Sequence, residues 1–277
     1  MVTRRDYNAE QVRAARSVLL EIVLLLGEYR EHLVLVGGWV PEFLITNPSE
    51  PHVGSMDVDL AIDHRQVTEA GYRTIRKLLL QRGYEEGEQP YIFKRRVGDL
   101  TVEVDLLAGE YGGTGKSHRH QRIPDTLLRK ARGCDIAFTD PESVTIEGDL
   151  PEGGKDAVRI QIASIESFLC MKGMALDSRF KEKDAWDIYF CVREFPGGLD
   201  ALVECLRPKI KHGLMREAFV KIASHFASPE HRGPKHVVDF EEVHDDEERA
   251  SIQRDVFERI QYVLDKLGVA RETEQGH

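Results

Sequence analysis

Apolar positions change their period along this chain, and the change divides it. In the first 160 or so residues, two-residue alternation recurs between shorter helical stretches. Residues 8–29 have helical spacing, with Asn8 as an N-cap candidate and Glu10-Gln11 in the first turn. Leu33 to Val36 reads as a short buried strand. A helix over 38–45 can hold Pro41 in its first turn. A strand over 58–62 and a helix over 68–81, stopped at Gly83, come next. Residues 91–97 and 100–107 read as a hairpin around Gly98-Asp99. Short strands are expected near 134–139, 143–147 and 157–162. From Ser164 onward the spacing is helical, over 165–177, 183–193, 199–206, 214–226 and 246–267. Residues 228–238 read as a polar Pro- and Gly-containing loop, and the chain after Arg271 as disordered. The layout predicts an α/β domain over 1–162 and a helical domain over 163–277.

Composition narrows the setting. The longest apolar run, Val18 to Leu26, is broken by Glu21 and is too short to cross a bilayer. The amino terminus lacks the apolar core of a signal peptide. Cys134, Cys170, Cys191 and Cys205 are widely spaced, as expected of reduced thiols in a cytoplasmic protein. The formal net charge of −10 argues against a surface that coats nucleic acid. One basic stretch runs against this trend: Lys94, Arg95, Arg96, Lys116, Arg119, Arg122, Arg129, Lys130 and Arg132. It can form a positive rim for RNA or a triphosphate, or be scattered solubilising charge.

The candidate chemistry lies in two alternating strands. Asp57-Val58-Asp59-Leu60 puts two carboxylates on one face. Val36-Gly37-Gly38-Trp39 precedes it, and a glycine pair lets backbone N–H groups approach phosphate. Leu100 to Leu107 puts Thr101, Glu103 and Asp105 on one face. If the two strands pair, a third carboxylate joins the first two, and nearby like charges call for a cation such as Mg2+. Asp105 is preferred to Glu103 because it is shorter and nearer the strand end.

Gly37-Gly38, Ser55-x-Asp57-x-Asp59 and Asp105 together resemble the DNA polymerase β-type nucleotidyltransferase superfamily. Lys172-Gly173-Met174-Ala175-Leu176, Arg179 and Lys183-Asp184-Ala185-Trp186-Asp187-Ile188-Tyr189 are similar to the downstream signature of AbiEii-type toxins. The similarity covers roughly residues 30 to 195. It implies an α+β fold, a mixed sheet with flanking helices followed by a helical domain. It implies two Mg2+ ions held by Asp57, Asp59 and Asp105, and an NTP substrate over Gly37, Gly38 and Ser55. It further implies transfer of a nucleotide to RNA, especially the tRNA 3′ end, and a cognate antitoxin protein as partner. One departure is the long gap between Gly38 and Asp57, with Asn47 to His52 expected as an enlarged loop over the pocket.

Lys172 lies within an otherwise apolar helix and is the leading cation for a transferring phosphate, with Arg179 and Lys183 beside it. Asp184 fits a helix N-terminus, where the dipole favours acids. Asp187, among Trp186, Ile188 and Tyr189, needs a partner, and Lys172 or Arg179 is the natural one. Its role is then structural or catalytic. Ser55 suits phosphate contact, with modification of its hydroxyl a second use. Gly112 to Ser117 mimics a P-loop, but Glu110 occupies the place of the first glycine, so the segment reads as a basic loop. His118 and His120 lack further metal ligands nearby. Two rival classes remain. One is an adenylyltransferase of small molecules, such as antibiotics, or of protein hydroxyls; the other is an inactive, antitoxin-like binding module.

Overall fold

The chain is α+β, with a mixed sheet and a helical carboxy-terminal region. A computed structural model describes residues 2–63, 66–67, 69–109, 121–123, 126–179 and 181–269. Helix α1 (Ala9–Leu25) begins where the Asn8 side chain accepts hydrogen bonds from the N–H groups of Glu10 and Gln11. Its inner face buries Val18, Leu19, Ile22 and Val23 against the sheet unit. Strand β1 (Leu33–Val36) is buried at every position, as befits a central strand covered on both faces. The chain turns through a 3-10 segment, Gly37–Trp39, into the short helix α2 (Val40–Leu44). Strand β2 (Asp57–Ile62), helix α3 (Glu69–Gln81), and strands β3 (Glu85–Glu86), β4 (Ile92–Val97) and β5 (Leu100–Ala108) follow. The hairpin turn between β4 and β5 has Gly98 at φ +60°, which glycine adopts without strain. Strands β6 (Gln121–Ile123), β7 (Thr126–Lys130), β8 (Glu142–Asp149) and β9 (Lys155–Ile162) complete the sheet.

The main strand order is β3-β4-β5-β2-β1-β9-β8, and the β6–β7 hairpin joins along the end of β5. Strand β2 runs parallel to β5 and antiparallel to β1. The two acidic strands are therefore interior neighbours. Glu21, buried on α1, ties this unit together: Arg95 of β4 donates to both its oxygens at 2.9 and 3.2 Å, and Arg82 donates at 3.3 Å.

Beyond β9 come α4 (Ile165–Arg179), α5 (Glu182–Glu194), α6 (Gly198–Leu206), α7 (Gly213–His225), α8 (Arg232–Phe240) and α9 (Asp246–Leu267). Asp245 caps α9 by accepting from the Glu248 N–H. The chain forms two compact units. A sheet unit contains Tyr7–Phe43 and Gly54–Ser167; a helical unit contains the residues to Asp6, Leu44–Val53 and the chain from Phe168 onward. This departs from a single division between 162 and 163. The insert Leu44–Val53 joins the helical unit because its polar side chains find their partners on α5: Ser49 donates to Glu194 from both N–H (2.7 Å) and Oγ (2.6 Å).

Two further expectations are corrected. Residues 134–139 form a 3-10 turn, Cys134–Phe138, and not a strand. Cys134, Ile136 and Ala137 are all buried there, which strand alternation on one covered face would not produce. The stretch 228–238 is not wholly loop, since α8 begins at Arg232. Pro234 sits in its first turn, where no helical N–H bond is lost, and Val237, Val238 and Phe240 are buried. The P-loop-like segment 112–117, His118 and His120, and the tail beyond Arg271 lie outside the described residues. Among the described residues no helix is long and apolar enough to cross a membrane.

Candidate functional site

Backbone register brings the sheet carboxylates together. In the β2–β5 pairing Asp59 is opposite Asp105, and Asp57 is opposite Glu103. Both strands are interior, since Asp59 also pairs with Val36 of β1 and Asp105 with Ile92 of β4. Neighbouring strands lie about 4.8 Å apart, so the two aspartates start from adjacent, rigid positions. Glu103 is exposed and lies 3.5 Å from Lys94 on β4, which separates it from Asp105 in surroundings as well as in length.

Gly37 explains how the Asp59 carboxylate finds room. It leaves β1 directly beside Asp59 with φ +74°. A Cβ at residue 37 would fall 2.0 Å from Asp59 Oδ2. Conformation and space independently require glycine at this place. Trp39, two residues on, donates its indole N–H to the Asp57 carbonyl at 2.7 Å. Ser55 is buried, and its hydroxyl makes a short hydrogen bond to Asp57 Oδ1. Thus Gly37, Ser55, Asp57, Asp59 and Asp105 share one unit and one neighbourhood.

The donor set suits a hard divalent cation: oxygen only, on short side chains of stiff backbone. The Gly37 cradle adds a fitted seat for one carboxylate. Among the described residues, no three or more Asp, Glu, His or Cys side chains are gathered closely enough to hold a metal ion as they stand. Cys134 lies near this cluster but is inert: burial first, then Asp135 and Asp59, push its thiol pKa up.

Lys172, Arg179, Lys183 and Asp187 meet elsewhere, inside the helical unit. Lys172 Nζ of α4 lies 2.7 Å from Asp184 Oδ1 and 2.6 Å from Asp187 Oδ2, both on α5. Arg179 grips Asp184 with Nε at 2.7 Å and Nη2 at 2.8 Å. Lys183 reaches Asp187 at 2.8 Å, one turn along the same helix. The histidine of the insert completes the set, with His52 Nε2 3.0 Å from Asp187 Oδ1. Its ring lies 5.0 Å from that of Trp186 and 4.8 Å, edge-on, from that of Phe190.

Electrostatics follow from these partners. Burial opposes charge on Asp184, but Lys172 and Arg179 outweigh it and bring its pKa down to about 2. Burial likewise opposes charge on Asp187, and Lys172 and Lys183 hold it well below the usual carboxylate range. Burial works against the Lys172 ammonium too, yet Asp184 and Asp187 keep its pKa above the ordinary lysine value. For His52, burial wins over the hydrogen bond to Asp187, and its pKa falls to about 4. The ring is neutral at pH 7, so Nε2 carries the hydrogen and donates it to the carboxylate.

This corrects two expectations. Asp184 is not explained by the helix dipole, because it is 1% exposed and bridges Lys172 to Arg179. Lys172 is already committed to two carboxylates. The basic rim is reduced as well. Arg95 is buried against Glu21 and Lys94 lies beside Glu103, while the side chains from 121 to 129 and residues 116 and 119 lie outside the described set. His52 has no signal in the sequence, because one histidine in a polar loop gives no pattern to read.

No protein-family model matches the chain, and no curated protein is significantly similar to it. Among solved structures, the crystal structure of JHP933 from Helicobacter pylori aligns with 94% of this chain and 94% of its own, at 14% identity and a TM-score of 0.44. At that level the likeness carries no statement about site or activity.

Proposed function

We propose that the protein is a Mg2+-dependent nucleotidyltransferase that moves a nucleotide from an NTP to an acceptor hydroxyl, with RNA as the acceptor class. One observation carries this reading: Asp59 and Asp105 stand side by side on paired interior strands, with the Asp59 carboxylate seated against Gly37. Asp57, Asp59 and Asp105 are the residues that would hold Mg2+. Bound there, the ion would screen the phosphate charge and polarise the scissile phosphorus centre.

The chain's own residues have separate tasks in this reading. Gly37 and Gly38 leave the backbone bare where phosphate would lie. Ser55 orients Asp57 by donating its hydroxyl hydrogen to Asp57 Oδ1. Asp105 accepts the proton of the acceptor hydroxyl as its oxygen bonds to the α-phosphorus. The α–β anhydride bond breaks and pyrophosphate leaves. RNA is favoured on the resemblance to AbiEii-type toxins, which would also make a cognate antitoxin protein the partner.

The test is incubation of the protein with each α-radiolabelled NTP, Mg2+ and total RNA. Label should enter RNA with the wild type and not with Asp59→Asn or Asp105→Asn. Undiminished transfer by both variants, or no transfer by the wild type with any NTP, would overturn the reading.

A further inference from the structure

We infer that the open face of the β4–β5 hairpin is the track on which a single-stranded RNA acceptor lies, with Arg96 as its phosphate contact. The inference rests on the transfer reading above and adds to it the path of the acceptor. The two faces of the hairpin differ. Phe93, Arg95, Val102 and Val104 are buried on one face, where Arg95 is spent on Glu21 and Glu152. Ile92, Lys94 and Arg96 share the other face with Thr101, Glu103 and Asp105, because strand side chains alternate and register partners lie on one side. Thr101, Glu103 and Arg96 are exposed there.

Register orders this open face in rows. The first joins Asp59, Asp105 and Ile92. The next joins Asp57, Glu103, Lys94 and Glu85. The last joins Thr101 and Arg96. Alternate residues of a strand are about 6.8 Å apart, so Arg96 starts about 14 Å along the sheet from the Asp59–Asp105 row. Charge is uneven across these rows. Lys94 stands between two acids, 3.5 Å from Glu103, and its charge is answered. Arg96 has only Thr101 opposite, and its guanidinium makes no hydrogen bond or ion pair with any described residue.

An exposed arginine near a turn is commonly a solvated surface group. Arg96 differs in its address, on the same stiff face as the carboxylates where the acceptor hydroxyl would react. A phosphate chain that ends at Asp105 and follows β4 and β5 meets Arg96, and a guanidinium grips phosphate through two parallel hydrogen bonds. The strip is one strand pair wide, which suits an extended single strand better than a duplex. Glu103 opposes the same phosphates and occupies Lys94, so it weakens the grip on RNA and lets the product leave.

Anisotropy of a 5′-labelled single-stranded RNA oligonucleotide, with the full chain at low salt and without NTP, reads the track apart from activity. Arg96→Ala should weaken binding roughly fivefold and lower the salt slope by about one. Glu103→Gln should tighten binding roughly threefold, since it removes a repelling charge and frees Lys94. Lys211→Ala, which removes an exposed cation of the helical unit, should change neither. In the transfer assay, Arg96→Ala should raise KM for RNA by the same factor and leave KM for the NTP unchanged. A wild type that does not bind the oligonucleotide, or an Arg96→Ala that binds it equally well, overturns the track even where transfer is strong. An equal loss in Lys211→Ala reduces the effect to net charge and overturns it too. Binding that depends on Arg96, beside a wild type that transfers no nucleotide, keeps the track and removes only the transfer reading.

Discussion

Asp187 of α5 touches two lysines and a histidine, whereas the side chain of Asp57 in β2 is met by one serine hydroxyl. Asp184 and Asp187 of the helical cluster are deeply buried and surrounded by cations. Asp57, Asp59 and Asp105 of the sheet cluster are half-buried or exposed, and backbone register puts Asp59 beside Asp105. Such settings select for different things. A buried carboxylate with matched cations is part of the packing, and losing one charge strands the others. Carboxylates stacked on adjacent strands add little to stability and concentrate negative charge, a pattern that favours function over folding.

The sharpest way to break this contrast is to neutralise one member of each cluster. Asp187→Asn should cost about 3–5 kcal/mol, because Lys172 and Lys183 lose their shared counter-charge in a buried place. Asp59→Asn should stay within about 1 kcal/mol of wild type, as a half-buried group away from the core. Urea unfolding of both variants checks the pair, and equal costs would sink the contrast. Gly37→Ala should come next, at about 2 kcal/mol, since its left-handed backbone is strained for alanine and the new Cβ displaces Asp59. Thermal unfolding would measure this loss, and nucleotide transfer should fall with it.

An effect no larger than that of Gly37→Ala is a pH dependence confined to the helical cluster. The folded-state pKa of His52, about 4, lies below the ordinary 6.5, so the unfolded chain binds a proton that the folded chain refuses. Stability is full above pH 6.5 and falls as pH drops from 6.5 toward 4. Between pH 7 and pH 5 the loss should be about 2 kcal/mol, and it should be absent from His52→Gln. Urea midpoints at the two pH values decide it. Asp184 acts in a lower window, its contribution being lost only as pH falls from 3.8 toward 2.

Local pattern made much of the fold legible. Asn8 marked the start of α1, Gly98-Asp99 marked the hairpin, and alternation marked both acidic strands. The β2–β5 pairing was readable only as a condition, because register depends on partners far apart in sequence. Helix α8 was hidden by Gly233 and Pro234, whose usual meaning is a break; burial of Val237, Val238 and Phe240 overrides it. In the helical cluster, the apolar setting of Lys172 and Asp187 announced that each needed a partner. It could not name Asp184 as the shared bridge, nor His52, which arrives from 135 residues away.

The path of the chain has a practical consequence. It passes between the two units at residues 6–7, 43–44, 53–54 and 167–168. A cut near residue 162 would therefore release no self-sufficient half. The carboxy-terminal piece would lack the imidazole that caps Asp187, and the amino-terminal piece would carry a ten-residue finger stripped of its glove. Recombination between homologues should respect this weave and exchange the insert together with α5, never one without the other.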